Sequence, residues 1–107
     1  RGFTYIKDDI KILKKLIYIK TDNNFHILNI CSSRPIYLKK LLNISKKYLN
    51  KIKVINIPAH PIDVYKTHGS NLKLLKWIND IKFTNLDSAI KNTISLYKKF
   101  KIYKQKN

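Results

Sequence analysis

Three potential metal ligands fall within one loop of the chain, His60, Asp63 and His68. Imidazole nitrogens and carboxylate oxygens are groups that bind zinc, so this loop is the first candidate for a metal site. The three residues are of mixed type and their spacing is irregular, whereas the usual zinc motifs have a regular spacing of ligands. The pattern therefore does not predict a metal site, and solvated loop histidines are the simpler interpretation.

The sequence contains one cysteine, Cys31, and two glycines, Gly2 and Gly69. A single thiol excludes an internal disulfide and a thiolate metal cluster, and a reducing, cytoplasmic setting is the default expectation. Because no glycine-rich turn is present, NAD cannot be bound here by the usual phosphate loop. No apolar run approaches the ~20 residues needed to cross a bilayer, so we expect a soluble protein with no membrane contact.

The formal net charge of +17 raises the question of a nucleic-acid partner. Lysine supplies 21 of the 23 basic residues, and arginine, which is preferred for phosphates and base edges, occurs only as Arg1 and Arg34. The lysines also recur on the outer side of every predicted helix instead of concentrating on one face. This distribution favours biased amino-acid usage over a dedicated nucleic-acid surface.

The length of 107 residues indicates a single modest core, and we predict one α/β lobe over residues 1–107 with a frayed basic tail at about 103–107. Apolar alternation or compact apolar runs predict three short strands. They are expected at residues 1–6, 25–30 and 52–57. A turn at 21–24 precedes the second strand, and Pro58 ends the third.

Apolar residues at three- and four-residue steps predict four helices. These are expected at residues 10–17, 38–49, 72–77 and 86–102. Asp8 or Asp9 can cap the first helix and Asn85 the last, where Asp87 in the first turn complements the helix dipole. The stretch 58–70 has two prolines, a glycine and no period, so it is predicted to be a loop long enough to carry function.

Four blocks of the sequence are similar, in order, to the C-terminal third of extended short-chain dehydrogenases that act on nucleotide sugars. RGFTYIKDDI resembles the family's RDFTYxDDI segment, and HILNICSSRPIYLKKLL resembles YNIGxxRPVSLLELI. PAHPIDVYKTHGSNLKLLKWI is similar to PMQPGDVxxTxADxSKLxxLxG, and FTNLDSAIKNTISLYKKF is similar to the closing SLEEGIxxFVxWYKxY helix. Together the blocks cover nearly the whole chain.

The resemblance implies a substrate-binding lobe that covers a nucleotide sugar, with NAD held by an N-terminal Rossmann lobe that this chain lacks. It implies that Arg1 contacts the pyrophosphate, since a guanidinium can grip two phosphate oxygens at once. Arg34 would approach the uracil end, and His60 and Asp63 would face the ribose and phosphates. The carboxylate of Asp63 can accept a ribose hydroxyl, although a turn aspartate that bonds its own backbone is an equal alternative.

Catalytic residues are not expected in this part of the family. Tyr97 and Lys101 have the family's catalytic YxxxK spacing, but Tyr97 belongs to the apolar stripe of the last helix and is interpreted as a core residue. Ile62 stands where the family has a glycine. Because a β-branched side chain does not easily adopt positive φ, the loop near the phosphates is expected to take a different path.

The resulting hypothesis is an NAD-dependent nucleotide-sugar epimerase of the UDP-sugar 4-epimerase type, or a dehydratase, of which this segment binds the substrate. A homodimer is one arrangement open to the intact enzyme. The alternative from another class is a small basic module that binds RNA or DNA. A third alternative is a nonfunctional remnant, which predicts apolar helix faces exposed to water.

Overall fold

The computed structural model describes residues 1–22 and 25–106, with side chains described up to residue 101. Its helices are α1 (Ile6–Ile17), α2 (Leu38–Tyr48), α3 (Leu72–Trp77) and α4 (Leu86–Lys106). Within this part of the chain there is no strand, and the only β-type pairing is a single antiparallel bridge between Gly2 and Pro35. The predicted α/β class is therefore wrong, and the described chain is all-helical.

Each of the three predicted strands lacks the paired neighbour that a strand requires. Residues 1–6 form only the Gly2–Pro35 bridge before α1 begins. Residues 25–30 are held by a side chain instead, since Asn29 Nδ2 donates to the Ser70 carbonyl oxygen at 3.3 Å. In residues 52–57 no backbone hydrogen bond to another described segment forms. These strands were predicted from apolar runs and from the alternation of apolar and polar residues alone, and neither pattern shows whether a neighbouring strand is present to pair with them.

The chain divides into two compact units. Unit 1 comprises Arg1–Ile36 and Lys66–Thr84. Its core forms where Ile12 of α1 meets Leu74 of α3 and Ile78, all three of which are buried. Partly buried apolar side chains surround them: Leu16, Ile19, Leu28, Ile30, Trp77, Ile81 and Phe83. The inner stripe of α1 and the short α3 are therefore fixed by shared burial of apolar surface.

Unit 2 comprises Tyr37–Tyr65 and Asn85–Asn107, and in it α2 packs against α4. Asp87 in the first turn of α4 links the two helices, because it accepts hydrogen bonds from the Tyr48 hydroxyl and, at 3.0 Å, from Lys47 Nζ. Asn85 Oδ1 accepts the Ser88 N–H at 2.8 Å, which confirms the predicted cap of the last helix.

The predicted positions of the second and third helices are confirmed by α2 and α3, whereas Asp8 and Asp9 do not cap α1. The capping position is Tyr5, which makes no side-chain cap bond. The loop over 58–70 contains no helix or strand, as predicted. The predicted turn at 21–24 and the predicted frayed tail at 103–107 fall partly outside the described residues. None of the described helices combines the length and apolarity needed to cross a bilayer.

Candidate functional site

The two arginines of the chain lie on two paired segments of unit 1. The Arg1 main-chain nitrogen donates to the Ile36 carbonyl oxygen at 2.7 Å, and the Ile36 N–H donates back to the Arg1 carbonyl oxygen at 2.9 Å. The neighbouring residues Gly2 and Pro35 form the antiparallel bridge. The N-terminal segment and the segment that carries Arg34 are therefore held side by side.

The register of this pairing puts both arginines on one face. With Arg1 opposite Ile36 and Gly2 opposite Pro35, the next position places Arg34 opposite Phe3. Alternate residues of a paired segment share a face, and diagonal neighbours of such a pair are about 7–8 Å apart. Arg1 and Arg34 are diagonal neighbours in this sense, and both are exposed. We call them the arginine pair.

Hydrogen bonds to the N-terminal segment fix the chain just before Arg34. The Ser32 hydroxyl donates to the Phe3 carbonyl oxygen at 2.9 Å, and the Ser32 N–H donates to Thr4 Oγ1 at 3.2 Å. Together with the bonds between Arg1 and Ile36, these contacts run along one side of residues 32–36. The geometry of the arginine pair is thus set by a series of backbone and serine contacts.

The opposite side of the same segment is held by residues 69–71. The Ser33 hydroxyl donates to the Gly69 carbonyl oxygen at 3.0 Å, and Asn71 Nδ2 donates to the Cys31 carbonyl oxygen at 2.9 Å. Asn71 is buried, so its bond satisfies a polar group that would otherwise be costly. Residues 31–36 are consequently clamped between two other parts of unit 1.

Ser33 adopts a left-handed backbone conformation with φ of 53°, and it is the only non-glycine residue with positive φ in the described part of the chain. Such a conformation costs on the order of 1–3 kcal/mol, and it persists where surrounding contacts enforce it. Here the enforcing contact is the bond from the Ser33 hydroxyl to Gly69. The strained residue directly precedes Arg34, so it fixes the backbone from which that side chain extends. Ile62 does not adopt positive φ.

His60 and Asp63 lie in one turn of unit 2. The Asp63 N–H donates to the His60 carbonyl oxygen at 2.9 Å, and the Ile62 N–H donates to His60 Nδ1 at 3.3 Å. The structure therefore brings the predicted residues together two by two, Arg1 with Arg34 and His60 with Asp63, in separate units. The ribose and phosphate contacts of His60 and Asp63 stay predictions.

The remaining candidates offer no alternative chemistry among the described residues. No group of three His, Cys, Asp or Glu side chains there could hold a metal ion. Tyr97 is 62% exposed, so its interpretation as a core residue is wrong. Cys31 is a free thiol, half-buried beside Gly69. The arginine pair is thus the most organised candidate site.

The sequence did not reveal that Ser32 and Ser33 hold the backbone just before Arg34. A signal was available, because serines before Arg34 and Pro35 in a short loop are residues that bond the nearby backbone and tolerate turns. The partners of these hydroxyls lie about thirty or more positions away, at Phe3 and Gly69, and local pattern does not predict them.

Comparison with known proteins adds no relative: no protein-family profile, curated protein or solved structure matches this chain. The resemblance to nucleotide-sugar enzymes therefore depends on the four sequence blocks alone.

Proposed function

We propose that this chain is the nucleotide-sugar-binding part of an NAD-dependent epimerase of the UDP-sugar 4-epimerase type, with a dehydratase as the less favoured reaction. The observation that supports the proposal is the placement of Arg1 and Arg34 as diagonal neighbours on one face, held by reciprocal backbone bonds. These are the same two residues that the sequence blocks assign to the nucleotide diphosphate and its base.

The chemistry of the arginine pair suits a diphosphate. A guanidinium keeps its charge at any physiological pH and presents a planar fork of donors that matches two phosphate oxygens. Two such groups on one face can address the two ends of one diphosphate, or one phosphoryl group and the adjoining planar base. Lysines, although far more numerous here, would bind phosphate only as point charges.

In such an enzyme the nicotinamide carries out hydride transfer, and this chain would bind and orient the nucleotide sugar. In the proposal, Arg1 and Arg34 hold the diphosphate end of the substrate, and neither of them moves a proton or a hydride. NAD and the catalytic residues belong to a part of the enzyme outside this chain.

Calorimetric titration of the 107-residue chain with UDP-glucose and with UMP tests the proposal. We expect UDP-glucose to bind more tightly than UMP, which has a single phosphate. Arg1→Lys and Arg34→Lys retain charge but lose the bidentate fork, so each should weaken binding by roughly tenfold or more, the value of one charge-assisted hydrogen bond. Lys73→Gln, which removes an exposed charge in the same unit, is the control and should change affinity less than twofold.

Two results would overturn the proposal. Equal effects of Lys73→Gln and Arg34→Lys would show that net charge, not the arginine pair, attracts the nucleotide. If the chain does not bind UDP-glucose but does bind RNA, with an affinity that falls steeply as salt increases, the basic nucleic-acid module is favoured instead.

A further inference from the structure

Helix α1 carries a second apolar stripe in addition to the one that enters the core. Ile12 and Leu16 face the core of unit 1, whereas four other apolar residues of α1 are exposed to solvent. Their exposed fractions are 62% for Ile6, 46% for Ile10, 50% for Leu13 and 76% for Ile17. The steps between them are four, three and four residues, so they follow one face of the helix. We call this set the outer stripe.

The outer stripe is a continuous feature and not a scatter of single exposed residues. It spans about 16 Å at a rise of 1.5 Å per residue, which is three helical turns. Isolated exposed apolar residues are normal on protein surfaces, but contiguous apolar patches mark sites of interaction. A helix with this much unpaired apolar surface is arranged to bury it against something else.

One margin of the outer stripe is basic. Lys7 and Lys14 lie three and four residues from Ile10 on either side, so they are its neighbours on the helix surface, and both are exposed. In the described residues, the ion pairs formed by lysines use Lys15 and Lys47, not Lys7 or Lys14. This margin therefore presents two cations that no carboxylate of the described chain neutralises.

The other margin of the outer stripe contains an unsatisfied acceptor. Asp9 lies three residues after Ile6 and four before Leu13, which makes it their neighbour on the helix surface. Its Oδ1 atom is buried and has no hydrogen-bond partner among the described residues. Burial, and then the charge of Asp8, raise the pKa of the Asp9 carboxyl.

The charges on the two margins restrict the occupant. A second copy of the chain would bring another formal charge of +17 against the first, so self-association is opposed by repulsion. A lipid surface would have to accommodate the Asp9 carboxylate beside the inserted stripe, which anionic lipids disfavour. A protein segment with apolar side chains along one face and acidic groups beside Lys7 and Lys14 matches both the outer stripe and its basic margin.

We propose that the outer stripe of α1 docks an amphipathic segment of a protein partner, whose apolar ridge covers Ile6, Ile10, Leu13 and Ile17 and whose acidic side chains face Lys7 and Lys14. The surface is independent of the arginine pair, and the inference does not depend on the proposed nucleotide-sugar function. Binding buries apolar area, while the complementary margin fixes the orientation of the partner.

Synthetic helical peptides provide the probe, measured by fluorescence anisotropy with the whole chain at physiological ionic strength. One peptide has a leucine stripe flanked by glutamates, a second has the same stripe flanked by lysines, and a third keeps the glutamates but has serine in place of leucine. We expect the first peptide to bind at least about tenfold more tightly than either of the others, corresponding to about 1.4 kcal/mol.

Variants of the chain locate the binding. The double variant Ile10→Ser, Leu13→Ser removes apolar area without changing charge, and it should weaken binding of the first peptide by tenfold or more. The double variant Leu96→Ser, Phe100→Ser removes comparably exposed apolar area from α4 and should leave the affinity for that peptide unchanged. Lys7→Glu with Lys14→Glu should reverse the preference, so that the lysine-flanked peptide binds better. Since all these positions are exposed, the variants are expected to fold.

Other outcomes would overturn the inference. Equal binding of the leucine and serine peptides would show attraction by net charge alone. Sedimentation showing a dimer that the Ile10→Ser, Leu13→Ser variant abolishes would identify a second copy as the occupant. Tighter, stripe-dependent binding to vesicles of phosphatidylcholine and phosphatidylserine would identify lipid. UDP-glucose titrations of the same variants should be unchanged, which separates this test from that of the arginine pair.

Discussion

Asp8 of α1 accepts two hydrogen bonds from Thr84, one from the backbone N–H at 2.9 Å and one from the hydroxyl at 2.7 Å. The two residues are 76 positions apart, at the opposite ends of the sequence that forms unit 1. Asp8 is buried, so its carboxylate is satisfied by Thr84 instead of by water. This contact joins α1 to the C-terminal end of unit 1 and so closes the unit.

Asp8→Ala is expected to lower the free energy of unfolding by about 1–3 kcal/mol, because it leaves the partly buried Thr84 N–H and hydroxyl without their acceptor. Urea unfolding monitored by circular dichroism measures the effect. Asp22→Ala, at an exposed position in the same unit, is the matched control and should change stability by less than about 0.5 kcal/mol. Equal losses for the two variants would contradict the closing role of Asp8.

Gly69→Ala is expected to destabilise the protein, by about 1–3 kcal/mol if the neighbours cannot shift. A β-carbon at Gly69 would lie 3.0 Å from the Cys31 sulfur, whereas one at Gly2 would meet nothing within 4 Å. Gly2→Ala is therefore the control and should be nearly neutral. Adding Cys31→Ala should recover most of the loss at position 69, since it removes the atom that clashes. A double mutant without recovery would show that another contact is responsible.

The stability of unit 2 should fall in acid. Hydrogen bonds from Tyr48 and Lys47 lower the pKa of the Asp87 carboxyl, with Tyr48 the larger cause. A depressed folded-state pKa contributes stability above the unfolded pKa, and that contribution is lost as pH falls through the folded value. Wild type should therefore melt at a higher temperature than Asp87→Asn at neutral pH, and the difference should vanish in strong acid. A difference that does not change with pH would contradict this account.

Asp9 should show the opposite dependence. Its folded-state pKa is raised, chiefly by burial, so the ionised carboxylate is a penalty that is present at neutral pH and relieved as pH falls. Asp9→Asn should consequently raise the melting temperature at pH 7, and the gain should shrink as the wild-type carboxyl becomes protonated. A loss of stability in Asp9→Asn at neutral pH would show that the carboxylate has a partner when the protein is folded.

The helices were predictable because their signal is local. Apolar residues at three- and four-residue steps located α2, α3 and α4, and the Asn85 cap follows from residues within one turn. The strands were not predictable in the same way, because alternation at 52–57 says nothing about whether a partner exists to complete a ladder. Asp8 was misassigned as a cap for the same reason, since Thr84 lies far along the sequence.

The candidate site, too, was only partly predictable from the sequence. The sequence could name Arg1 and Arg34 through the resemblance of their blocks, but it could not show that the two residues share a face. That placement depends on the bonds between Arg1 and Ile36 and on the left-handed Ser33, which are tertiary features. Helical spacing placed four residues of α1 on a single stripe, Ile10, Leu13, Leu16 and Ile17. In the structure only Leu16 of these packs against the core and the other three are exposed, because periodicity does not show which part of an apolar face the core covers.

The central claim, recognition of a nucleotide diphosphate by the arginine pair, is tested most directly by mapping amide chemical shifts while UDP-glucose is added to the labelled chain. We predict that saturable shifts concentrate at residues 2–3 and at Ser33, Arg34 and Ile36, and that UMP produces smaller shifts at the same positions. Shifts spread over the lysine-bearing faces of α1, α2 and α4, or no saturable shifts at all, would contradict the account.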